Sequence, residues 1–226
     1  MEEYFPSPRW GTEGLVNGDG EPIPRLFDPT VSSIHEMITE SRLLVHDQQQ
    51  GVRHMRRIFP RTNSIGTDPA TMVIHTDGAC RGNGNGARRP RASWGVFVAD
   101  GSQWNDCGRL DRALPQTSAS AKIEALWQAL TIVGDILFYE PGITRVRIAT
   151  DSLDLVTALA FCIWDWIDND GYTDSGHPVA HFDRLVDIHN ELDDLECEYG
   201  VSIKLWYVPR NRNTDADALA NQALDS

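Results

Sequence analysis

The chain has 226 residues, 41% of them hydrophobic, enough for one ordinary domain with a sizeable core plus an additional segment. Its net charge of −13 sets it apart from chains that are basic throughout, and no apolar run approaches the roughly 20 residues that a bilayer crossing needs. The four cysteines, Cys80, Cys107, Cys162 and Cys197, are widely spread and show neither a CxxC pair nor a disulfide-framework spacing. Free thiols in a reducing, intracellular setting, cytoplasm or nucleus, are therefore expected. The opening MEEYFPSPRW is acidic and lacks an apolar stretch, so it does not read as a secretory signal or transit peptide.

Residues 1–70 read as an N-terminal extension, rich in Pro, Gly and charge. Within it Ser33–Gln50 places Ile34, Met37, Ile38, Leu43, Leu44 and Val45 near one helical face, which predicts an amphipathic helix able to pack on the core or on a protein partner. From Thr71 the pattern changes. TMVIHTDGA is a β-branched strand expected to end at an aspartate, RGNGNGARRP a Gly/Asn turn, and SWGVFVAD the returning strand. Trp104–Leu110 adds a third strand, and Ser118–Asp135 carries apolar residues at helical spacing. A strand follows at 144–151, again ending at an aspartate, then helices from Ser152 and from Phe182 to Glu198. A fifth strand spans 201–209 and a last helix Asp215–Leu224. This order predicts an α/β domain over 71–226, with a mixed five-stranded sheet flanked by helices.

Charge is unevenly distributed. Between Arg53 and Arg91 eight arginines face only Asp68 and Asp77, so a local basic surface on an acidic body is one reading and a basic loop without a partner is the other. Asp77 and Asp151 close two strands, and Asp217 stands in the first turn of the last helix. Carboxylates at strand ends project into the crevice where α/β proteins bind ligands. Clustered, they repel one another unless a cation intervenes, and oxygen donors without neighbouring Cys or His favour Mg²⁺ or Mn²⁺. Two such ions about 4 Å apart would clamp a phosphodiester. The plainer alternative gives Asp151 the role of a helix cap and Asp217 that of a helix-dipole partner.

IHTDGACRGNG, IATDSLDLV, GHPVAHFDRL and WYVPRNRNTDADALAN resemble the type 1 ribonuclease H family over roughly residues 72–225. The resemblance implies an RNase H-like fold, two Mg²⁺ (or Mn²⁺) ions and endonucleolytic cleavage of the RNA strand of an RNA/DNA hybrid. It implies that Asp77, Asp151 and Asp217 are catalytic and hold metal, with Asp77 bridging both ions. It further implies that Gly78, Arg81, Asn83, Gly84, Arg88, Arg89 and Asn213 contact the hybrid or another nucleic acid. RNA-containing duplexes are read largely through phosphates and 2′-hydroxyls.

The chain departs from that family in three places. The family carries a glutamate in its first long helix, within T-x-x-R-A-E-L-x-A. Here the segment reads TSASAKIEA, and the register of Ala121, Ile123 and Ala125 puts Lys122 at the glutamate's position. Glu124, the low-ranking substitute, lies two residues on and therefore about 200° around the helix. One reading places the Lys122 ammonium between Asp77 and Asp151 in place of an ion; another sends it to solvent, leaving a merely weakened site. Second, Asn211 falls near a place where the family often has a histidine. Third, the segment WDWIDNDGYTDSGH, basic in several family members, carries four aspartates and no Lys or Arg. Two function classes remain in view: a metal-dependent nuclease, and a silent module that binds nucleic acid or protein.

Overall fold

A computed structural model describes residues 4–6, 15–17, 22–82 and 90–226. Strands β1 (Tyr4–Pro6), β2 (Leu15–Asn17) and β3 (Pro22–Ile23) form a small antiparallel sheet. The main sheet has eight strands. Its centre is β7 (Ser64–Arg81), preceded by β4 (Leu26–Phe27), β5 (Leu44–Asp47) and β6 (Val52–Phe59). It is followed by β8 (Arg91–Phe97) and β9 (Asp106–Arg109), helix α1 (Ser118–Tyr139) and β10 (Arg145–Thr150). Next come α2 (Leu153–Thr157), a π-helical stretch at Ala158–Cys162, α3 (Ile163–Asp168), α4 (Phe182–Tyr199), β11 (Ser202–Tyr207) and α5 (Thr214–Asp225).

The five anticipated strands lie in the order β9-β8-β7-β10-β11, with β10 parallel to both β7 and β11 and the β7–β8–β9 pairings antiparallel. The sheet is mixed and flanked by helices, as the pattern of elements implied. The central strand does not end at Asp77. It continues to Arg81, because β8 supplies a partner for every residue from His75 to Arg81.

Both faces of the sheet are covered, so β7 buries successive side chains on opposite sides. Met72 and Ile74 pack with Leu126, Leu130 and Val133 of α1 and with Leu185, Ile188 and Leu192 of α4. Val73, between them, joins Phe27, Met55, Ala149 and Trp206 in a second cluster on the other face. Burying side chains of this size contributes roughly 1.5–3 kcal/mol each.

That second cluster corrects one expectation. Ser33–Gln50 forms no α-helix; it folds as turns, a 3₁₀ turn at Glu40–Arg42 and strand β5. Ile38 and Leu43 do turn inward, but each drops onto the sheet separately, while β5 satisfies the open edge of β6. The apolar residues offered for a protein partner are thus largely spent on the chain's own core: of the six, Ile34, Ile38 and Leu43 are buried, Leu44 and Val45 half-buried, and Met37 alone stays exposed. Residues 26–59 belong to the same sheet as the rest. Arg25 reinforces this, reaching His189 and Asp193 of α4 and lying 5.1 Å from the centroid of the Trp164 ring.

Candidate active site

Two contacts without Cβ atoms set the positions of the site helices. A Cβ at Gly78 of β7 would run into the backbone of Ala121 and Lys122, and one at Gly95 of β8 into Ala216 and Ala220 of α5. Glycine at these two points lets both helices settle onto the strands. The small buried face of α1, Ala121, Ala125 and Ala129, does the same from the helix side.

Helix α1 starts at Thr117, whose side chain accepts a hydrogen bond from the Ser120 N–H at 3.1 Å. Lys122 therefore stands just past the first turn, directly above β7. Its Nζ lies 3.1 Å from Asp77 Oδ1 and also contacts Asp151 Oδ1. The ammonium is between the two carboxylates and not in open solvent. Asp77 is buried, and its Oδ1 accepts the Gly78 N–H at 2.7 Å. Asp151 follows the last residue of β10. The cap of α2 is its neighbour Ser152, which accepts from the Leu155 N–H at 3.4 Å.

Burial drives the electrostatics. It raises Asp77 from 3.8 to about 6, with the Asp151 charge adding to it and Lys122 and the Gly78 N–H opposing it. Burial also works against the Lys122 ammonium, but its hydrogen bonds and charge contacts with Asp151 and Asp77 outweigh this and hold its pKa above the ordinary lysine value. A cation in this gap offsets the repulsion of the two carboxylates, and Lys122 supplies one.

Asp217 lies in the first turn of α5. It is brought to the same end of β7 by Asn213, whose Nδ2 donates to the Thr76 carbonyl at 2.9 Å, and it faces Arg210 at 3.5 Å. Glu124 goes elsewhere. It accepts from Arg184 of α4 at 2.9 Å and from Gln128 at 2.8 Å, while the Arg184 guanidinium lies 4.0 Å from the centroid of the Trp127 ring.

The divalent ions implied by the resemblance fit this arrangement poorly. An ion between Asp77 and Asp151 would have to displace an ammonium already touching both. Among the described residues, no three His, Cys, Asp or Glu side chains converge on a metal position.

The residues expected to contact nucleic acid scatter. Asn213 is fully buried and acts as an internal latch, and Gly78 is pinned beneath α1. Arg81 is held by Asp225 and by Asn221 at 3.1 Å, both on α5. Asn83, Gly84, Arg88 and Arg89 lie outside the described residues. A cavity of about 680 Å³ opens beside Lys122 and Asp151, lined among others by Ser118, Ser152, Trp166 and His181. Sequence reasoning missed the Arg210–Asp217 pair and the Asn213 latch. The arginine two residues after Val208 was a visible signal for the first; nothing in the sequence signalled the second.

A family model described as RNase H matches residues 69–225. Human ribonuclease H1 is 28% identical over 155 residues, 67% of this chain and 49% of that protein, so the match spans about half the human protein's length. The ribonuclease H of Paracidovorax citrulli (strain AAC00-1) is 31% identical over 166 residues, covering 68% of this chain and 94% of that protein. Among solved structures, a foamy viral protease–reverse transcriptase in complex with RNA/DNA hybrid shares the fold, with a TM-score of 0.52 and 19% identity over 67% of this chain and 19% of that one.

Proposed function

This chain belongs to the RNase H family, and we propose that it binds RNA/DNA hybrids while hydrolysis of the RNA strand is held down by Lys122. The observation that carries this reading is the Lys122 ammonium lodged between Asp77 and Asp151. In this reading Lys122 stands where the family has a metal-binding glutamate. It reverses the charge at that position and bridges two of the acids, offsetting one of their two negative charges. The domain keeps the fold that presents a duplex to Asp77, Asp151 and Asp217. In this reading its grip comes from Arg81 and from Asn83, Gly84, Arg88 and Arg89, through phosphates and sugars and not base edges, while Gly78 beneath α1 and the buried Asn213 serve by seating α1 and α5.

A second reading, slow cleavage with Mg²⁺ or Mn²⁺, rests on Asp217, whose side chain stays 34% exposed and, among the described residues, meets a cation only at 3.5 Å, in Arg210. One experiment separates the two. A labelled RNA/DNA hybrid is incubated in Mg²⁺ and in Mn²⁺ with wild type, Lys122→Glu, Asp77→Asn and the double variant, and binding is followed in parallel by fluorescence anisotropy. The proposal expects wild type to bind without cutting, Lys122→Glu to cut, and the double variant to be silent. Cleavage by wild type that Asp77→Asn abolishes would establish the second reading instead. Absence of hybrid binding by every variant would overturn both.

A further inference from the structure

The far end of α1 carries exposed aromatic surface and a carboxylate, about 25 Å along the helix axis from Lys122. Tyr139 is the last residue of α1 and Glu140 its C-cap, and no basic residue occupies the last turn, so the negative end of the helix dipole is left uncompensated there. Phe138 and Tyr139 are 71% and 67% exposed. The Trp104 ring lies 6.1 Å from that of Tyr139, tilted by 36°. Trp104 is held in place by Asn105, whose side chain accepts from the Val98 N–H at 2.7 Å and donates to the Ala99 carbonyl at 2.7 Å. On the other side, Gln50 Nε2 donates to Glu140 Oε2 at 2.8 Å, and Asp47 fixes the turn carrying Gln50 by accepting the Gln49 N–H at 2.8 Å. Trp104, Tyr139, Glu140 and Gln50, together with Gln49 and Gln103, line a cavity of about 490 Å³. Its walls are pre-organised by hydrogen bonds within the fold. Among the described residues, no cation lies over either ring or pairs with Glu140.

We propose that this corner binds the guanidinium of an arginine side chain presented by a basic peptide segment of a partner. The molecule already builds the same recognition unit twice for its own arginines. Arg184 lies 4.0 Å from the Trp127 centroid while pairing with Glu124 at 2.9 Å. Arg25 lies 5.1 Å from the Trp164 centroid while pairing with Asp193 at 2.6 Å. Trp104, Tyr139 and Glu140 reproduce the ring and the carboxylate without the arginine. A planar guanidinium can stack on a ring and donate hydrogen bonds sideways at the same time, which a compact ammonium cannot. The acidic balance of the whole chain, −13, favours a basic partner by long-range attraction.

The test titrates an acetylated tri-arginine peptide into the full chain at physiological salt, by calorimetry and by NMR observation of the tryptophan indoles, with a tri-lysine peptide as comparator. Saturable binding that shifts the Trp104 indole is expected. Tyr139→Ala and Glu140→Gln, both surface changes, should each weaken it about fivefold, and tri-lysine should bind more weakly than tri-arginine. Equal affinity of wild type and both variants, equal affinity for the two peptides, or saturable binding that leaves the Trp104 indole unshifted would each overturn the proposal.

Discussion

Lys122 and Glu124 stand two residues apart on α1 and serve opposite sides of it. Lys122 enters the cleft and lies between Asp77 and Asp151. Glu124, turned about 200° away, ties α1 to α4 through Arg184. Each makes a charge pair within hydrogen-bond reach, yet one pair sits over the candidate active site and the other is a strut between helices. The comparison teaches that a helix carrying an acid near a cleft does not thereby contribute it to the cleft. Direction around the axis decides, and the alanines against the sheet fix that direction.

Restoring a carboxylate on the cleft side tests this most strongly. Lys122→Glu should raise metal-dependent hybrid cleavage by at least about a hundredfold, since ligand geometry governs such sites. A Lys122→Glu protein that binds hybrid yet stays silent in both metals would break the comparison.

Removing the cation without replacing it is next in size. Lys122→Met leaves two buried carboxylates facing each other and should lower stability at neutral pH by about 3–5 kcal/mol. Urea denaturation would show this, and the loss should shrink as pH falls toward 6, because Asp77, freed of the Lys122 charge that lowers its pKa, takes up a proton at higher pH than in wild type.

Acid titration sharpens the picture further. Asp77 has a folded pKa of about 6, above its ordinary 3.8, so between those values the folded chain keeps a proton that the unfolded chain has released. Its contribution therefore favours folding at low pH and is lost as pH rises through that window. His75, two residues before it, does the reverse. Burial first, and then Arg53, lower it from 6.5 to about 4, so the unfolded chain protonates earlier and stability is lost as pH falls from 6.5 toward 4. In wild type the two slopes oppose each other. Asp77→Asn removes one of them, and its stability should fall by about 3 kcal/mol between pH 6.5 and 4. Wild type should lose clearly less over the same range, and identical slopes for the two proteins would contradict the assignment.

The smallest effect belongs to the strut. Glu124→Gln should cost about 1 kcal/mol in thermal or urea unfolding and leave the cleavage rate of a Lys122→Glu background unchanged. A fall in that rate would mean that Glu124 reaches the cleft after all.

Much of this was legible in the residues. Alternating β-branched runs and the helical spacing of alanine and leucine marked the five strands and the long helices, because those segments bury a regular face. The register of Ala121 and Ala125 gave the position of Lys122 on α1, while the choice between the aspartates and solvent was open in the sequence and is made by the contacts to Asp77 and Asp151. Residues 26–59 were not legible. Their strand pieces include two- and four-residue elements, and Ile34 and Ile38 fall four apart by accident of the turns that carry them. The latch from Asn213 to Thr76 spans 137 positions, and the Arg25 contacts to α4 span still more. Pairings of that separation are made by the fold, and no local pattern announces them. The strand beyond Asp77 was hidden for a similar reason: it persists only because β8 pairs with it.

The surroundings of Lys122 have an evolutionary consequence. The glycine that admits α1 and the alanine face that seats it bring Lys122 onto Asp77 and Asp151. Lysine and glutamate codons differ only at their first base. A gene encoding this chain is thus one transition mutation away from a glutamate at position 122, so under the reading proposed above a single base change separates a binding module from a cutting one.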